Sequence, residues 1–334
     1  MDVIGTTAFG IEVNSQKDPN NEFVLAGKKA FTMQLRSPLV IISIFFPFLM
    51  PLARKMKLGL FDPKTVEFFR QVIAQAIKER KANPEAYKGK TDFVQLMINA
   101  HNESVDAADQ QEVKEFGATF DNSAAKKGMR DIEILANGVL FFLAGFDTTA
   151  QTLSFLLYRM AIHPEIQEKL YLDIVDVVGD KEDVSYDDIQ KLPYLDWCVK
   201  ESLRMYPVGA MVDRQCTQDV TAKGIDFKKG DVVAISINCL HYDETRWPNP
   251  EEFRPERFSP EESATRGPFD WMPFGYGPRN CIGMRLALLE AKIGVIQVLR
   301  KMKLLPCDKT KIPLKLDPIG YRVTEGIWIT AEKR

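Results

Sequence analysis

Phe274-Gly275-Tyr276-Gly277-Pro278-Arg279-Asn280-Cys281-Ile282-Gly283 is the stretch on which the reading of this 334-residue sequence turns. It sets one cysteine between a glycine-rich loop and a helix predicted over about 284–301. Glycines let a backbone come close to a flat ligand. Exposed N–H groups near a helix start favour an anionic sulfur and draw its pKa down. Arg279, two residues before the cysteine, can pair with an anionic group on such a ligand. A buried cysteine beside a turn is the plain alternative for any lone cysteine. A phosphate cradle fits poorly, because Gly275-x-Gly277 lacks the third glycine of GxGxxG and follows no clear strand.

Working outward, Glu201-Ser202-Leu203-Arg204 lies on a helix predicted from about Tyr194 to Met205 and stopped at Pro207. The spacing puts Glu201 and Arg204 on one face. Taken alone, the pair is as readily a solvated surface contact worth under about 1 kcal/mol. Further back, 130–162 (RDIEILANGVLFFLAGFDTTAQTLSFLLYRMAI) is apolar almost all round, which predicts a long helix across a core. At 1.5 Å per residue it would run about 48 Å, and His163-Pro164 ends it. Inside it, Ala144-Gly145-Phe146-Asp147-Thr148-Thr149 sets an acid beside hydroxyls. That is costly in an apolar helix unless the groups are satisfied. Thr148 can bond back to a carbonyl one turn earlier or hold a water, and an Asp–Thr pair can relay protons.

The remaining texture is helix-rich. Residues 61–82 have helical periodicity, with Asp62 as cap, Pro63 at the first position and Val66, Phe69, Ile73 and Ile77 on one face. Thr91–Asn99 reads as a short helix, 101–128 as a polar connector, and about 165–178 as a further helix ending before Gly179. Residues 231–237 look like a strand, and the YRVTEGIWITA tail like strand and turn. The fold class is therefore mainly α (α+β) with small β-sheets, not alternating βαβ.

The net charge of −2 and the pI near 6.1 argue against a nucleic-acid partner. Five cysteines, Cys198, Cys216, Cys239, Cys281 and Cys307, form no CxxC and no even set, which points to a reducing compartment. His101, His163 and His241 have no zinc-site spacing. The N-terminus reads as neither signal peptide nor anchor. Residues 37–53, broken by Pro47 and Pro51, are short for a bilayer span. They read either as a buried segment or as an element touching a membrane interface, and Arg54, Lys55 and Lys57 suit anionic headgroups.

The F-x-x-G-x-R-x-C-x-G run around Cys281 resembles the haem-binding signature of cytochromes P450. Ala144–Thr149 resembles that family's [AG]-G-x-[DE]-T-[ST] motif, and Glu201-x-x-Arg204 with Pro255-Glu256-Arg257-Phe258 its E-x-x-R and P-E-R-F elements. These stand in family order along essentially the whole chain, most like the microsomal branch that metabolises drugs and steroids. The resemblance implies haem b (iron protoporphyrin IX), with Cys281 as metal ligand and Arg214, Phe274, Gly277, Arg279 and Gly283 at the cofactor. It implies catalytic roles for Asp147 and Thr148, and a structural lock of Glu201, Arg204 and Arg257. It places substrate against Ala144, Phe146, Val208, Gly209 and Val212, with residues near Glu325-Gly326 a further candidate.

The implied activity is insertion of one atom of O2 into an apolar small molecule: a xenobiotic, steroid or fatty acid. Electrons would come from NADPH through NADPH–cytochrome P450 reductase, with cytochrome b5 as a second partner and Arg285 and Lys292 as candidate contacts. The implied setting is the cytoplasmic face of the endoplasmic reticulum membrane. By comparison with the family the chain lacks roughly the first third, so residues 1–334 are expected to be one incomplete catalytic domain: 1–130 distal helices and membrane-facing loop, 131–206 the long helix to the E-x-x-R helix, 207–334 sheets, cysteine loop and proximal helix. Two alternatives stay open. One is a non-catalytic chain that binds haem weakly or not at all. The other is a haem-thiolate isomerase or dehydratase, which the intact Asp147-Thr148 pair disfavours.

Overall fold

The computed structural model describes residues 1–32, 39, 42, 46–56, 58, 59, 62–99, 130–316, 323 and 325–334. The expected connector at 101–128 and residues 37, 38, 40, 41 and 43–45 of the apolar stretch lie outside them. The described residues form two units, one reaching up to residue 147 and one from residue 148 onward.

The first unit holds α1 (Asp2–Phe9), α2 (Glu22–Thr32), α3 (Met50–Lys55), α4 (Pro63–Ala82), α5 (Phe93–Asn99) and the first half of α6 (Asp131–Ile162). Helix α4 starts where its sequence says it should: the Asp62 carboxylate accepts the Thr65 N–H at 3.1 Å, and Pro63 follows the cap. Its stripe Phe69, Ile73 and Ile77 is buried against Ile4, Phe9, Phe23, Ile134 and Phe142. Glycine makes the packing of α6 possible here, since a Cβ on Gly145 would lie 2.6 Å from the Ile4 side chain and one on Gly138 2.9 Å from Ile73. Buried Arg80 pairs with Asp92 and donates to the Phe9 carbonyl at 2.6 Å, tying α4 to the ends of α1 and α5. Helix α1 (DVIGTTAF) escaped the sequence reading because a glycine and two threonines weaken its helical signal.

The second unit continues α6 and adds α7 (Pro164–Val178), α8 (Tyr186–Gln190), α9 (Pro193–Met205), β1 (Met211–Gln215), β2 (Val220–Ala222), β3 (Ile225–Phe227), β4 (Val232–Ser236), α10 (Ile237–His241), α11 (Pro260–Ser263), α12 (Met284–Leu299), β5 (Met302–Pro306) and β6 (Ile329–Lys333). Leu156, Leu170, Ile174, Leu195, Cys198, Val199, Val295, Ile296 and Leu299 form its core. Gly294 lets α12 meet Leu153, 3.0 Å from where a Cβ would stand. The expected helices end within about two residues of their predicted bounds.

Three antiparallel two-stranded ladders complete this unit: β1 with β4, β2 with β3, and β5 with β6. Lys223 and Gly224, at φ +50° and +79°, turn the β2–β3 hairpin in the left-handed geometry that tight hairpins favour. The β1–β4 register pairs Arg214 with Val233 and Met211 with Ser236. Among the described residues β1 and β4 pair only with each other, and Met211, Val232, Val233 and Ile235 are exposed.

Candidate functional site

The cysteine loop is held closed by its own backbone. Gly275 and Gly277, at φ +70° and +79°, take conformations that would strain a side-chain-bearing residue. The N–H of Gly275 donates to the Met272 carbonyl at 3.0 Å, that of Asn280 to Gly277 at 3.0 Å, and that of Cys281 to Phe274 at 2.8 Å. Cys281 is thereby presented at an exposed position, beside Ile282, which is 82% exposed. Gly283 then caps α12. The expectation of a lowered thiol pKa is corrected: the protein packed around the sulfur pushes the Cys281 thiol up, and the Gly283 backbone N–H only partly opposes it.

Glu201 and Arg204 are wholly buried, not a solvated pair. The Glu201 carboxylate accepts from Arg204 Nε at 2.8 Å and Nη2 at 3.0 Å, from Arg257 Nε at 3.2 Å, and from the Arg254 backbone N–H at 3.1 Å. One carboxylate thus faces two buried guanidiniums. The surplus positive charge is met by carbonyl oxygens: Arg204 donates to His241 at 2.8 Å and Pro250 at 2.7 Å, and Arg257 to Pro248 and Asn249 at 2.6 Å each. The geometry assembles Glu201, Arg204 and Arg257 into one set, with the Trp271 indole N–H donating to the Lys200 carbonyl at 3.2 Å nearby.

Sequence reasoning missed His241. It is fully buried, its Nδ1 lies 3.0 Å from the Arg204 carbonyl, and its Nε2 accepts the Met272 backbone N–H at 3.0 Å. Burial, reinforced by the Arg204 charge, pulls its pKa down to about 4. A histidine kept neutral in the native state and free to protonate when unfolded gives an unfolded chain that binds more protons, so stability falls as pH drops. The contribution is complete above about pH 6.5, is lost on going down to about pH 4, and amounts to about 3 kcal/mol. Denaturant unfolding between pH 7 and pH 4 measures it, and a flat profile for this unit would contradict the assignment.

Around the loop the second unit gathers several of the expected residues. Val212 on β1 lies 3.9 Å from where a Gly275 Cβ would stand, and Arg214 Nη2 is 3.4 Å from the Arg279 carbonyl. Arg214 and Arg279 are both exposed, and a Cβ on Gly277 or Gly283 would meet nothing within 4 Å. Phe274 and Val208 are half-buried and Gly209 is exposed. Gly326 turns at φ +77° beside Glu325, whose carbonyl accepts the Trp328 indole N–H at 3.0 Å. Ala144, Phe146 and Asp147 belong to the first unit, where Phe146 packs on the aromatic core and Ala144 is exposed. Thr148 opens the second unit, and its carbonyl accepts the Thr152 hydroxyl at 3.0 Å. Lys292 corrects an expectation: it is largely buried and pairs with Asp196 at 2.6 Å, so it is not a free surface cation.

Among the described residues no cluster of three or more His, Cys, Asp or Glu could enclose a metal ion. Cys281 instead offers one soft donor on an open loop, with two exposed guanidiniums at the same edge. That donor set fits an iron that arrives with its other ligands in a macrocycle carrying carboxylates.

The Cytochrome P450 family model matches residues 1–326. Similar proteins include Cytochrome P450 3A31 of Mesocricetus auratus and Cytochrome P450 3A2 of Rattus norvegicus, each 40% identical over 316 residues, which is 95% of this chain and 59% of the relative. Cytochrome P450 3A29 of Sus scrofa is 38% identical over 325 residues, 97% of this chain and 61% of its own length. The chain thus spans about three fifths of the length of the relatives it matches.

Proposed function

This chain belongs to the cytochrome P450 family, and from that premise we propose that it serves haem-thiolate monooxygenation of an apolar small molecule. The observation that carries the reading is one cysteine, Cys281, presented at an exposed position of a backbone-braced, glycine-turned loop. Bound haem b would supply dioxygen activation, with one oxygen atom inserted into substrate and the other reduced to water.

The chain's own residues have these parts. Cys281 gives up its thiol proton and donates electron density as a thiolate. Arg214 and Arg279 would hold the carboxylates of the haem as charge-assisted partners. Gly277 and Gly283 leave the backbone room to approach it, and Phe274 packs beneath the loop. Asp147 delivers a proton and the Thr148 hydroxyl passes it on. In the second unit Val208, Gly209 and Val212 would meet the substrate, a xenobiotic, steroid or fatty acid. Electrons come from NADPH through a separate reductase, with cytochrome b5 as a second donor. The proposed setting is the cytoplasmic face of the endoplasmic reticulum, with 37–53 at the membrane interface.

The open, exposed position of Cys281 favours one second reading, a chain that holds haem only weakly. One experiment separates the two. The chain is supplied with haem, reduced and exposed to carbon monoxide. A strongly red-shifted Soret band is the expected result, and its absence overturns the monooxygenase reading.

A further inference from the structure

We propose that His241 is the positioning residue that sets the cysteine loop against the Glu201 helix, acting as a neutral two-way hydrogen-bond bridge. This rests on Cys281 being the iron ligand, as proposed above. The bridge follows from the geometry. The His241 ring has one nitrogen on a carbonyl and the other on an N–H. A carbonyl can only accept, so Nδ1 must carry the hydrogen. The Met272 N–H can only donate, so Nε2 must offer its lone pair. A doubly protonated ring would leave the Met272 N–H facing another donor.

The connection runs without a gap from buried charge to sulfur-bearing loop. Arg204, fixed by Glu201, donates to the His241 carbonyl, while the His241 ring returns a bond to the Arg204 carbonyl. The ring's far side holds the Met272 N–H, and the Met272 carbonyl accepts from Gly275, the first glycine of the loop. The Phe274 carbonyl then accepts from Cys281. The site is closed to bulk solvent, for His241 is 0% exposed and Met272 5%. No water replaces the bridge cheaply there, and a buried N–H left without a partner is costly. Outer-shell partners of this kind typically change metal affinity by about 10–100-fold when lost.

Nitrogen-15 NMR of the histidine-labelled full chain tests the tautomer without any substitution. The expected His241 signal is that of a neutral ring protonated at Nδ1, and a ring protonated at Nε2 overturns the proposal. Two substitutions then separate positioning from plain support. Glutamine reaches the Nε2 place with an acceptor, whereas asparagine reaches only the Nδ1 place. His241→Asn should speed amide exchange over residues 272–281 of the haem-free chain by about 10–100-fold and weaken haem binding in the same range. His241→Gln should recover most of both at comparable thermal stability. Equal loop exchange in the two variants, or unchanged exchange in His241→Asn, overturns the role. Exchange is read without haem, so it stands apart from the ligand assignment: a wild type lacking the red-shifted band refutes Cys281 ligation, while normal loop protection in His241→Asn refutes the bridge.

Discussion

Cys281→Ala will abolish the red-shifted Soret band of the reduced, carbon monoxide-bound chain completely while leaving the fold in place. Loss of the signal follows from the donor set. Only one sulfur lies on the glycine-turned loop, and alanine offers iron no electron pair. Retention of the fold follows from exposure and backbone bonding: Cys281 contributes little to the core, and its N–H to Phe274 survives any side-chain change. Cys239 and Cys307 provide the control, since neither is buried and neither lies on this loop. Substituting either by alanine should leave the band intact. A band that persisted in Cys281→Ala and vanished in a control would move the ligand elsewhere.

The second large effect is on stability. Glu201→Leu should destabilise the second unit by about 3–5 kcal/mol, because it leaves buried Arg204 on carbonyl acceptors and buried Arg257 with carbonyls and only the longer 3.9 Å pairing to Glu252. A surface pair would lose under about 1 kcal/mol. Tryptophan fluorescence during urea unfolding isolates the relevant unit, since Trp197, Trp247, Trp271 and Trp328 all lie in it. The sharper comparison is the triple replacement of Glu201, Arg204 and Arg257 by apolar residues. Removing a buried ionic set together is often far milder than removing one member. If Glu201→Leu were as mild as the triple change, the uncompensated-charge account would be wrong.

These two sites differ in how far the sequence revealed them. The Cys281 loop, the Glu201–Arg204 pair and Arg257 could be read because each role is tied to fixed residue types at short spacing. The long helix and α4 could be read because their apolar periodicity runs over many turns and Asp62-Pro63 marks a start. His241 could not, because both its partners are backbone groups, at Arg204 and Met272, and backbone leaves no trace in residue identity. Lys292 looked like a surface cation because Asp196, 96 positions earlier, is brought beside it only by the packing of α9 and α12. Strands β2 and β3 were hidden because each has only three residues, nearly all exposed, too few to show an apolar alternation. The raised Cys281 thiol was missed for a similar reason: a helix start can be read from the sequence, but the atoms crowding a sulfur cannot.

The β1–β4 ribbon has a bearing on handling the molecule. Strand β4, VVAIS, carries no charge, proline or bulge of the kind that keeps natural sheet margins apart, and its valines stand in water on both faces. Two molecules meeting along that margin would find matching, uncharged backbone rows with nothing to repel them. That margin is therefore one place where concentrated solutions of the protein should self-associate, through residues outside the proposed chemistry.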